Sequence, residues 1–315
     1  MNFLITAIGS FSADCVISTL KVAENKVVGC DIYPSTWHYV SQKCDAVYQA
    51  PLATDEDKYI DFLISTCKKE SLDYIIPLTD LEIDVLNRNR EPFSAANIDL
   101  LIQSEYCLSI ARNKLAMYHL FMNDSYVNVP FSINSEQLTS DFPLPAIAKP
   151  IHGRSSEGIF KVQTTNQLME ATSKKNYIVQ TLINGSVYTV DYVRDAFGCD
   201  FAIPREELLR TKNGAGTTVR IIPDSLLCST ASYIGETLGI LGCINMEFIL
   251  SNGKYYLIDL NPRFSAGVAF SNYVGFDMVS SHVNAVLGRH IGMAIDFNEQ
   301  ILCKYYQETV LWSNK

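Results

Sequence analysis

The 315-residue chain has 48% hydrophobic and 19% charged residues, which is typical of a folded globular protein, and its length suggests about two domains. A net charge of −9 argues against a nucleic-acid-binding surface, and no apolar run reaches the roughly 18 residues that would span a membrane. The nine cysteines form no C-x-x-C pair and are odd in number, which argues against a disulfide framework or a zinc site and predicts reduced thiols in a cytoplasmic protein.

Residues 1–103 alternate strand-like apolar runs with segments of helical spacing. The first run lacks the basic flank of a signal peptide and is predicted to be a buried strand. The predicted strands are Phe3–Ile8, Lys26–Asp31, Asp73–Pro77 and Ile98–Ile102, and the predicted helices are Asp14–Ala23, Asp57–Lys69 and Leu81–Asn87. Such alternation predicts an α/β domain with a parallel sheet that helices cover on both faces.

Polar residues follow several of these strands at their carboxyl ends. Gly9 follows the first strand and Asp31 ends the second, but the fingerprint G-x-G-x-x-G is missing, which disfavours a nicotinamide-dependent oxidoreductase. Thr79, Asp80 and Glu82 follow the third strand. Two interpretations stay open for them: they line a substrate crevice, or they cap the helix that follows.

The next region, residues 104–182, combines a predicted long helix, Ser104–Phe121, with a strand, Ala146–Lys149. Lys149 lies on an apolar strand, where its ammonium group needs an anionic partner. A glycine- and serine-containing loop follows, with Gly153, Ser155, Ser156 and Gly158. Its glycines let the backbone approach a ligand and its serines add donors, although an ordinary hairpin turn has the same composition.

A predicted β-hairpin in the last third of the chain gathers oxygen ligands. Asn245–Phe248 and Tyr255–Arg263 alternate apolar and polar residues around an Asn-Gly turn. The two-residue period places Asp259 and Asn261 on one face, with Glu247 on the neighbouring strand. Such a patch suits Mg²⁺, while the alternative is a pair of carboxylates that face solvent.

These features, in this order, resemble the ATP-grasp enzymes, in particular the branch of carbamoyl phosphate synthase and carboxylate–amine ligases. The residues Asp259–Arg263 match the family signature E-x-N-P-R, with Asp in place of the first Glu. The resemblance implies that ATP and Mg²⁺ or Mn²⁺ bind here, with the metal on Glu247, Asp259 and Asn261. It also implies that Arg263 stabilises the transferring phosphoryl group.

The same resemblance assigns the nucleotide contacts. Lys114 and Lys149 would bind the phosphates, under a loop that includes Gly153, Ser155, Ser156 and Gly158. A strand with Gln180, Thr181 and Leu182 would bind adenine through its backbone. Val187 stands where the family usually has a ribose-binding Glu, so ribose recognition is either lost or supplied elsewhere. Arg205 and Arg210 would lie near the triphosphate and the acceptor, unless they are solvated surface charges.

The resemblance implies a fold and an activity. The fold class would be α/β plus α+β: an N-terminal pre-ATP-grasp domain (1–103), then two ATP-grasp subdomains (104–182 and 183–315). The activity would be ligation of small-molecule carboxylate and amine substrates through an acyl phosphate, with ADP and phosphate as products. The assembly would be a homodimer. The alternative is a non-catalytic ATP-binding sensor or partner subunit, which Val187 and Asp259 favour.

Overall fold

The computed structural model describes residues 1–153 and 157–311, which contain three β-sheets that follow one another along the chain. The first sheet has strands β1 Asn2–Ile5, β2 Lys26–Asp31, β3 Ala46–Gln49, β4 Tyr74–Ile76 and β5 Asp99–Leu100. Its helices are α1 Ala13–Val22, α2 Glu56–Glu70, α3 Asp80–Arg88 and α4 Arg90–Ala95. All five strands are parallel, in the order β3-β2-β1-β4-β5.

The apolar character of β1 follows from its central place in this sheet. Phe3 and Ile5 point into the core beside α1, whereas Leu4 points into a second core beside α2. Both faces of the strand are therefore buried, as expected of a parallel sheet that helices cover on both sides. β3 and α4 were not predicted, because both elements are short and carry little periodic signal.

The predicted single helix over Ser104–Phe121 is wrong, because the chain forms two helices there, α5 Glu105–Ala111 and α6 Lys114–Phe121. Asn113 caps the second helix: its Oδ1 accepts hydrogen bonds from the backbone N–H groups of Leu115 and Ala116 at 3.1 and 3.0 Å. An asparagine side chain competes for backbone donors in this way and favours a helix start. The break places Lys114 at the first residue of α6.

The second sheet is antiparallel and has four strands. These are β6 Ser132–Asn134, β7 Ala146–Pro150, β8 Phe160–Val162 and β9 Tyr177–Thr181, in the order β6-β9-β7-β8, with helix α7 Thr165–Thr172 beside them. A small core that includes Ala146, Val162 and Leu168 holds α7 against the sheet. Lys149 lies near the end of β7, immediately before the loop that includes Gly153.

The third sheet has six antiparallel strands. They are β10 Ser186–Arg194, β11 Asp200–Arg210, β12 Gly216–Ile221, β13 Gly242–Ser251, β14 Lys254–Asn261 and β15 Gln300–Cys303, in the order β14-β13-β10-β11-β12-β15. The helices are α8 Ser225–Thr237, α9 Val268–Tyr273 and α10 Met278–Val286. The predicted hairpin is β13–β14, and Asn252 and Gly253 at its turn both have positive φ angles, 49° and 74°, as a type I′ turn requires.

One continuous core joins the N-terminal sheet to the six-stranded sheet. Ile5 of β1 and Ile17 of α1 belong to the same cluster as Val193, Ile203 and Val283. The opposite face of the six-stranded sheet packs on α5, α6 and α8. The predicted fold class, an α/β domain followed by α+β subdomains, is therefore confirmed, whereas the boundaries at residues 103 and 182 stay predictions. Among the described residues, no helix is both long and apolar enough to cross a membrane.

His282 on α10 should make stability depend on pH. Its Nδ1 accepts the backbone N–H of Cys243 at 2.9 Å, and burial lowers its pKa to about 4. The unfolded chain takes up this proton near pH 6.5, so the stability that the neutral ring contributes is present above pH 6.5 and is lost as the pH falls toward 4. We expect the unfolding free energy to fall by about 2 kcal/mol from pH 7 to pH 5 through this group.

Urea denaturation at pH 7, 6 and 5 measures this effect. His282→Asn should reduce the slope, whereas His119→Asn, at an exposed position of α6, serves as the matched control and should leave it in place. An identical slope in wild type and His282→Asn would remove His282 as its source.

Candidate nucleotide and metal site

A cleft of about 410 Å³ lies between the four-stranded and six-stranded sheets. Side chains from β7, β10, β11, β13 and β14 meet there, together with the first residue of α6. The charged and amide residues that line it are Lys114, Lys149, Glu157, Arg205, Glu207, Arg210, Asn213, Asn245, Glu247, Asp259, Asn261 and Arg263. The structure thus brings all three predicted metal ligands, both predicted lysines and all three predicted arginines into one cavity.

Glu247, Asp259 and Asn261 share one face of the β13–β14 hairpin. Glu247 is directly opposite Asp259 across the two strands, and Asn261 is opposite Asn245. The Nδ2 of Asn261 lies 3.5 Å from Oε1 of Glu247, and its Oδ1 lies 3.5 Å from Nη2 of Arg263. Two carboxylates and one amide group therefore share this face, and with the Asn261 amide turned so that its oxygen faces Glu247 they form a set of hard oxygen donors that fits Mg²⁺ or Mn²⁺.

Each of the two carboxylates also contacts a cation from another strand or helix. Lys114 Nζ lies 3.0 Å from Oδ1 of Asp259, and Arg210 Nη2 lies 2.9 Å from Oε2 of Glu247. Burial raises the pKa of Glu247, Arg210 opposes that shift and the nearby Asp259 carboxylate adds to it. The mutual repulsion of the two carboxylates would be relieved by a cation placed between them.

A β-bulge in β14 lies next to Lys149 in this site. The register of the hairpin shifts between Glu247 and Phe248, so that Ile258 is the extra residue on β14. The carbonyl of Ile258 accepts a hydrogen bond from Lys149 Nζ at 3.1 Å. Burial and repulsion by Lys114 lower the pKa of Lys149 to about 8, against the attraction of Asp259 and Glu247. A buried ammonium with these neighbours is suited to an anionic ligand.

Arg263 binds a carboxylate of the N-terminal domain. Its Nε and Nη2 donate to the two oxygens of Asp80 at 3.1 and 2.9 Å, and Asp80 also lies 3.7 Å from Arg112. Asp80 is buried. Burial would raise its pKa, but Arg263 and Arg112 outweigh burial and hold the pKa below its ordinary value. Asp80 therefore fits neither the crevice-lining nor the helix-capping interpretation fully. It lies outside the cleft and orients Arg263, which lines the cleft.

Arg205 is held rigidly at the floor of the cleft. Its Nη1 donates to Asp191 Oδ2 at 2.8 Å, its Nη2 to Ser265 Oγ at 3.0 Å and its Nε to Glu207 Oε1 at 3.3 Å. Asp191 and Arg205 are 0% and 2% exposed. Arg205 is therefore a buried, fixed cation and differs from the solvated surface charge that the sequence left open.

The other predicted nucleotide contacts fall in different places. Gly153 lines the cleft, and its carbonyl accepts Lys114 Nζ at 3.3 Å. Gly158 has φ +71° and packs against Tyr177, outside the lining. Ser155 and Ser156 lie outside the described residues. The role of the loop in closing over phosphates stays a prediction.

The predicted adenine-binding residues lie at the end of β9, where Gln180 and Thr181 are the last two residues and Leu182 follows the strand. Gln180 donates to Ser132 Oγ at 2.7 Å, and the N–H groups of Thr181 and Leu182 donate to the carbonyls of Phe131 and Pro145. These three residues are not among those that line the cleft, so their contact with adenine stays a prediction. Val187, which replaces the usual ribose-binding acid, does line it.

Two acidic residues that organise the site, Asp191 and Glu207, were not predicted from the sequence, because no motif surrounds them. Asp80 was noted only for its place after a strand. Asp191 pairs with Arg205, 14 residues away, and Asp80 pairs with Arg263, 183 residues away, so sequence spacing carried no signal for these two pairs.

Comparisons with known proteins agree with this architecture. A family model described as an ATP-grasp domain matches residues 111–267, and one described as a PylC-like N-terminal domain matches residues 4–101. The arginine-specific large chain of carbamoyl phosphate synthase from Bacillus subtilis is 20% identical over 91% of this chain. The match spans only 30% of that relative.

Two solved structures show the same fold. The chain superposes on an L-amino acid ligase from Bacillus licheniformis with a TM-score of 0.71 and 16% identity, over 92% of this chain and 75% of that one. The biotin carboxylase domain of a 2-oxoglutarate carboxylase from Hydrogenobacter thermophilus gives a TM-score of 0.78 and 15% identity, over 96% and 74% of the two chains. That domain was solved as a dimer with MgADP, ADP and bicarbonate.

Proposed function

We propose that this chain, which belongs to the ATP-grasp family, is an ATP-dependent carboxylate–amine ligase that works through an acyl phosphate. The observation that carries the proposal is the convergence of Glu247, Asp259 and Asn261 with Lys114 and Lys149 in one cleft. The substrates would be small molecules, one with a carboxylate and one with an amine. The L-amino acid ligase with the same fold supports this reaction class.

The residues of the cleft fit a metal-bound nucleotide. Glu247, Asp259 and Asn261 would hold Mg²⁺ or Mn²⁺, which neutralises charge on the phosphate oxygens when it is bound. Lys114 and Arg210, which contact two of these ligands, can donate to phosphate oxygens when the carboxylates turn to the metal. The site thus keeps its buried charges paired both before and after the nucleotide enters.

The reaction needs positioning and charge stabilisation more than a nucleophilic side chain. A substrate carboxylate oxygen would attack the γ-phosphorus, the bond from that phosphorus to the bridging oxygen would break, and ADP would leave. The ammonium form of the amine would lose one proton to solvent, and the neutral nitrogen would then attack the acyl carbon. Phosphate would leave with the electrons of the C–O bond, and the nitrogen would release a second proton to solvent. Arg263 and Arg210 are the cations placed to stabilise the transferring phosphoryl group.

Binding of a non-hydrolysable ATP analogue tests the nucleotide site directly. Calorimetry should show saturable binding that strengthens with Mg²⁺. Glu247→Gln should weaken the Mg²⁺-dependent affinity about 10-fold or more, because it removes one anionic ligand. Glu170→Gln, on the exposed face of α7, is the control and should bind as wild type does. Absence of binding of the analogue, ATP and ADP would refute the nucleotide site.

A second measurement separates catalysis from simple binding. ADP formation with pools of amino acids and small carboxylates should identify both substrates. If ATP binds but no pool stimulates ADP formation, the alternative of a non-catalytic sensor or partner subunit would be favoured, as Val187 and Asp259 suggested.

Gel filtration would test the homodimer, which the dimeric carboxylase domain supports. The cytoplasmic location stays a prediction that rests on the reduced thiols.

A further inference from the structure

Glu207 of β11 has a buried side chain in the wall of the cleft, and one of its carboxylate oxygens accepts no hydrogen bond from the residues that the structure describes. Its side chain is 3% exposed. Oε1 accepts from Arg205 Nε at 3.3 Å, whereas Oε2 has no hydrogen-bond partner among the residues that the structure describes. A buried carboxylate oxygen without a donor is costly, so a ligand that supplies one would be bound there.

The neighbours of Glu207 leave its Oε2 without a hydrogen-bond donor among the residues that the structure describes. Arg205 is shared by two carboxylates, and the closer one is Asp191, at 2.8 Å. The trio of Asp191, Arg205 and Glu207 therefore carries a formal charge of −1 in a buried place. Lys304 supplies a positive charge near this trio, but its Nζ donates to the carbonyl of Ala266 at 2.5 Å and not to Glu207. Arg210 is bound to Glu247.

The backbone opposite Glu207 leaves room for this carboxylate. Gly216 of β12 lines the cleft, and a Cβ at that position would lie 1.8 Å from Oε2 of Glu207. The Glu207 carboxylate can therefore occupy this position only because Gly216 has no side chain. The β11–β12 register also shifts between Glu207 and Leu209, beside the same point.

The position of Glu207 separates it from the proposed metal ligands. Glu247 on β13 is opposite Thr189 on β10, which is opposite Arg205 on β11. Two strand spacings, about 10 Å, therefore lie between the backbones of Glu247 and Arg205, and Glu207 is two residues farther along β11. Glu207 therefore lines a part of the cleft wall that is separate from the proposed metal ligands.

We infer that Glu207 binds the ammonium group of the amine substrate, a primary amine that is protonated in solution. An ammonium group supplies the missing donor, and as a cation it is attracted to a carboxylate. This inference rests on the proposed ligase function, which requires an amine close to the acyl phosphate. It makes Glu207 the residue that selects charged primary amines over neutral nucleophiles.

The test compares two nucleophiles in the second half-reaction. Once ADP formation has identified the carboxylate and the amine, hydroxylamine, which is mostly uncharged at pH 8, is used in place of the amine to trap the acyl phosphate as a hydroxamate. Glu207→Gln should raise KM for the amine on the order of 30-fold, as expected when a buried charge loses its partner. Hydroxamate formation should stay within about twofold of wild type.

Two further variants control the comparison. Glu206→Gln changes the neighbouring carboxylate, which faces Arg220 at 3.8 Å and does not line the cleft, and should leave both reactions within about twofold. Gly216→Ala should raise KM for the amine, because its Cβ displaces the Glu207 carboxylate. An unchanged KM in Glu207→Gln, or a parallel loss of hydroxamate formation, would overturn the inference.

A failure of the proposed function would be visible separately, as wild-type protein that forms no hydroxamate with any carboxylate. In that case, calorimetry with the twenty proteinogenic amino acids and with simple alkylamines tests whether Glu207 binds an amine, independently of the ligase reaction. Tighter binding of one of these amines to wild type than to Glu207→Gln would support an ammonium site. Equal binding, or no binding, to both proteins would overturn it.

Discussion

Replacing Arg263 with alanine should lower turnover about 10²-fold or more while nucleotide affinity changes little. Loss of one charge-stabilising donor at a transition state typically costs about 3 kcal/mol. Arg263 follows the metal-ligand strand, and its Nη2 is 3.5 Å from Oδ1 of Asn261, so it is adjacent to the position proposed for the transferring phosphoryl group. ADP formation and analogue binding, measured side by side, give both quantities.

The ion pair with Asp80 provides a sharper control than truncation alone. Asp80→Asn removes the charge that orients Arg263 but leaves the guanidinium in the cleft. Turnover should therefore fall less in Asp80→Asn than in Arg263→Ala. Thermal unfolding of both variants shows whether loss of the pair destabilises the fold. Wild-type turnover in Arg263→Ala would remove this residue from the proposed mechanism.

The parts of the structure that follow from local sequence rules were predictable. The Asn-Gly turn and two-residue alternation predicted the β13–β14 hairpin and the shared face of Asp259 and Asn261. Strand and helix alternation predicted the parallel N-terminal sheet. These features depend on turn chemistry and on hydrophobic period, both of which are recorded within about ten residues of chain.

Features set by distant partners were not predictable in the same way. The bulge at Ile258, which presents a carbonyl to Lys149, depends on the register between two strands. Asp80 reaches Arg263 across 183 residues, and no spacing rule links them. The break at Asn113 was locally encoded, since asparagine is a strong N-cap residue, but apolar periodicity on both sides of it favoured one helix.

The Asp191–Arg205 pair should be the most important single polar interaction for stability. Asp191 is 0% exposed and accepts hydrogen bonds from Arg205 at 2.8 Å and from Ser271 at 2.6 Å. Asp191→Asn would leave the buried guanidinium with the weaker Glu207 contact at 3.3 Å. Removing one partner of a buried pair typically costs about 3–5 kcal/mol, so we expect a loss of that size in urea denaturation.

The pH dependence of this loss distinguishes a charge effect from a packing effect. Burial alone would raise the pKa of Asp191, but Arg205 and the hydrogen bonds outweigh it and hold the pKa below its ordinary value. The stability from the ionised carboxylate is therefore complete above about pH 4, the unfolded value, and is lost as the pH falls through the folded pKa. The difference between wild type and Asp191→Asn should accordingly shrink below about pH 4.

Asp14→Asn is the matched control for this substitution. Asp14 forms an ion pair with Lys43, but its side chain is 54% exposed, so the loss should not exceed about 1 kcal/mol. Because Asp191 and Arg205 fix the floor of the cleft, Asp191→Asn should also lower ADP formation in the fraction that remains folded. Equal losses of stability in the two variants would show that Arg205 does not depend on Asp191 for its charge balance.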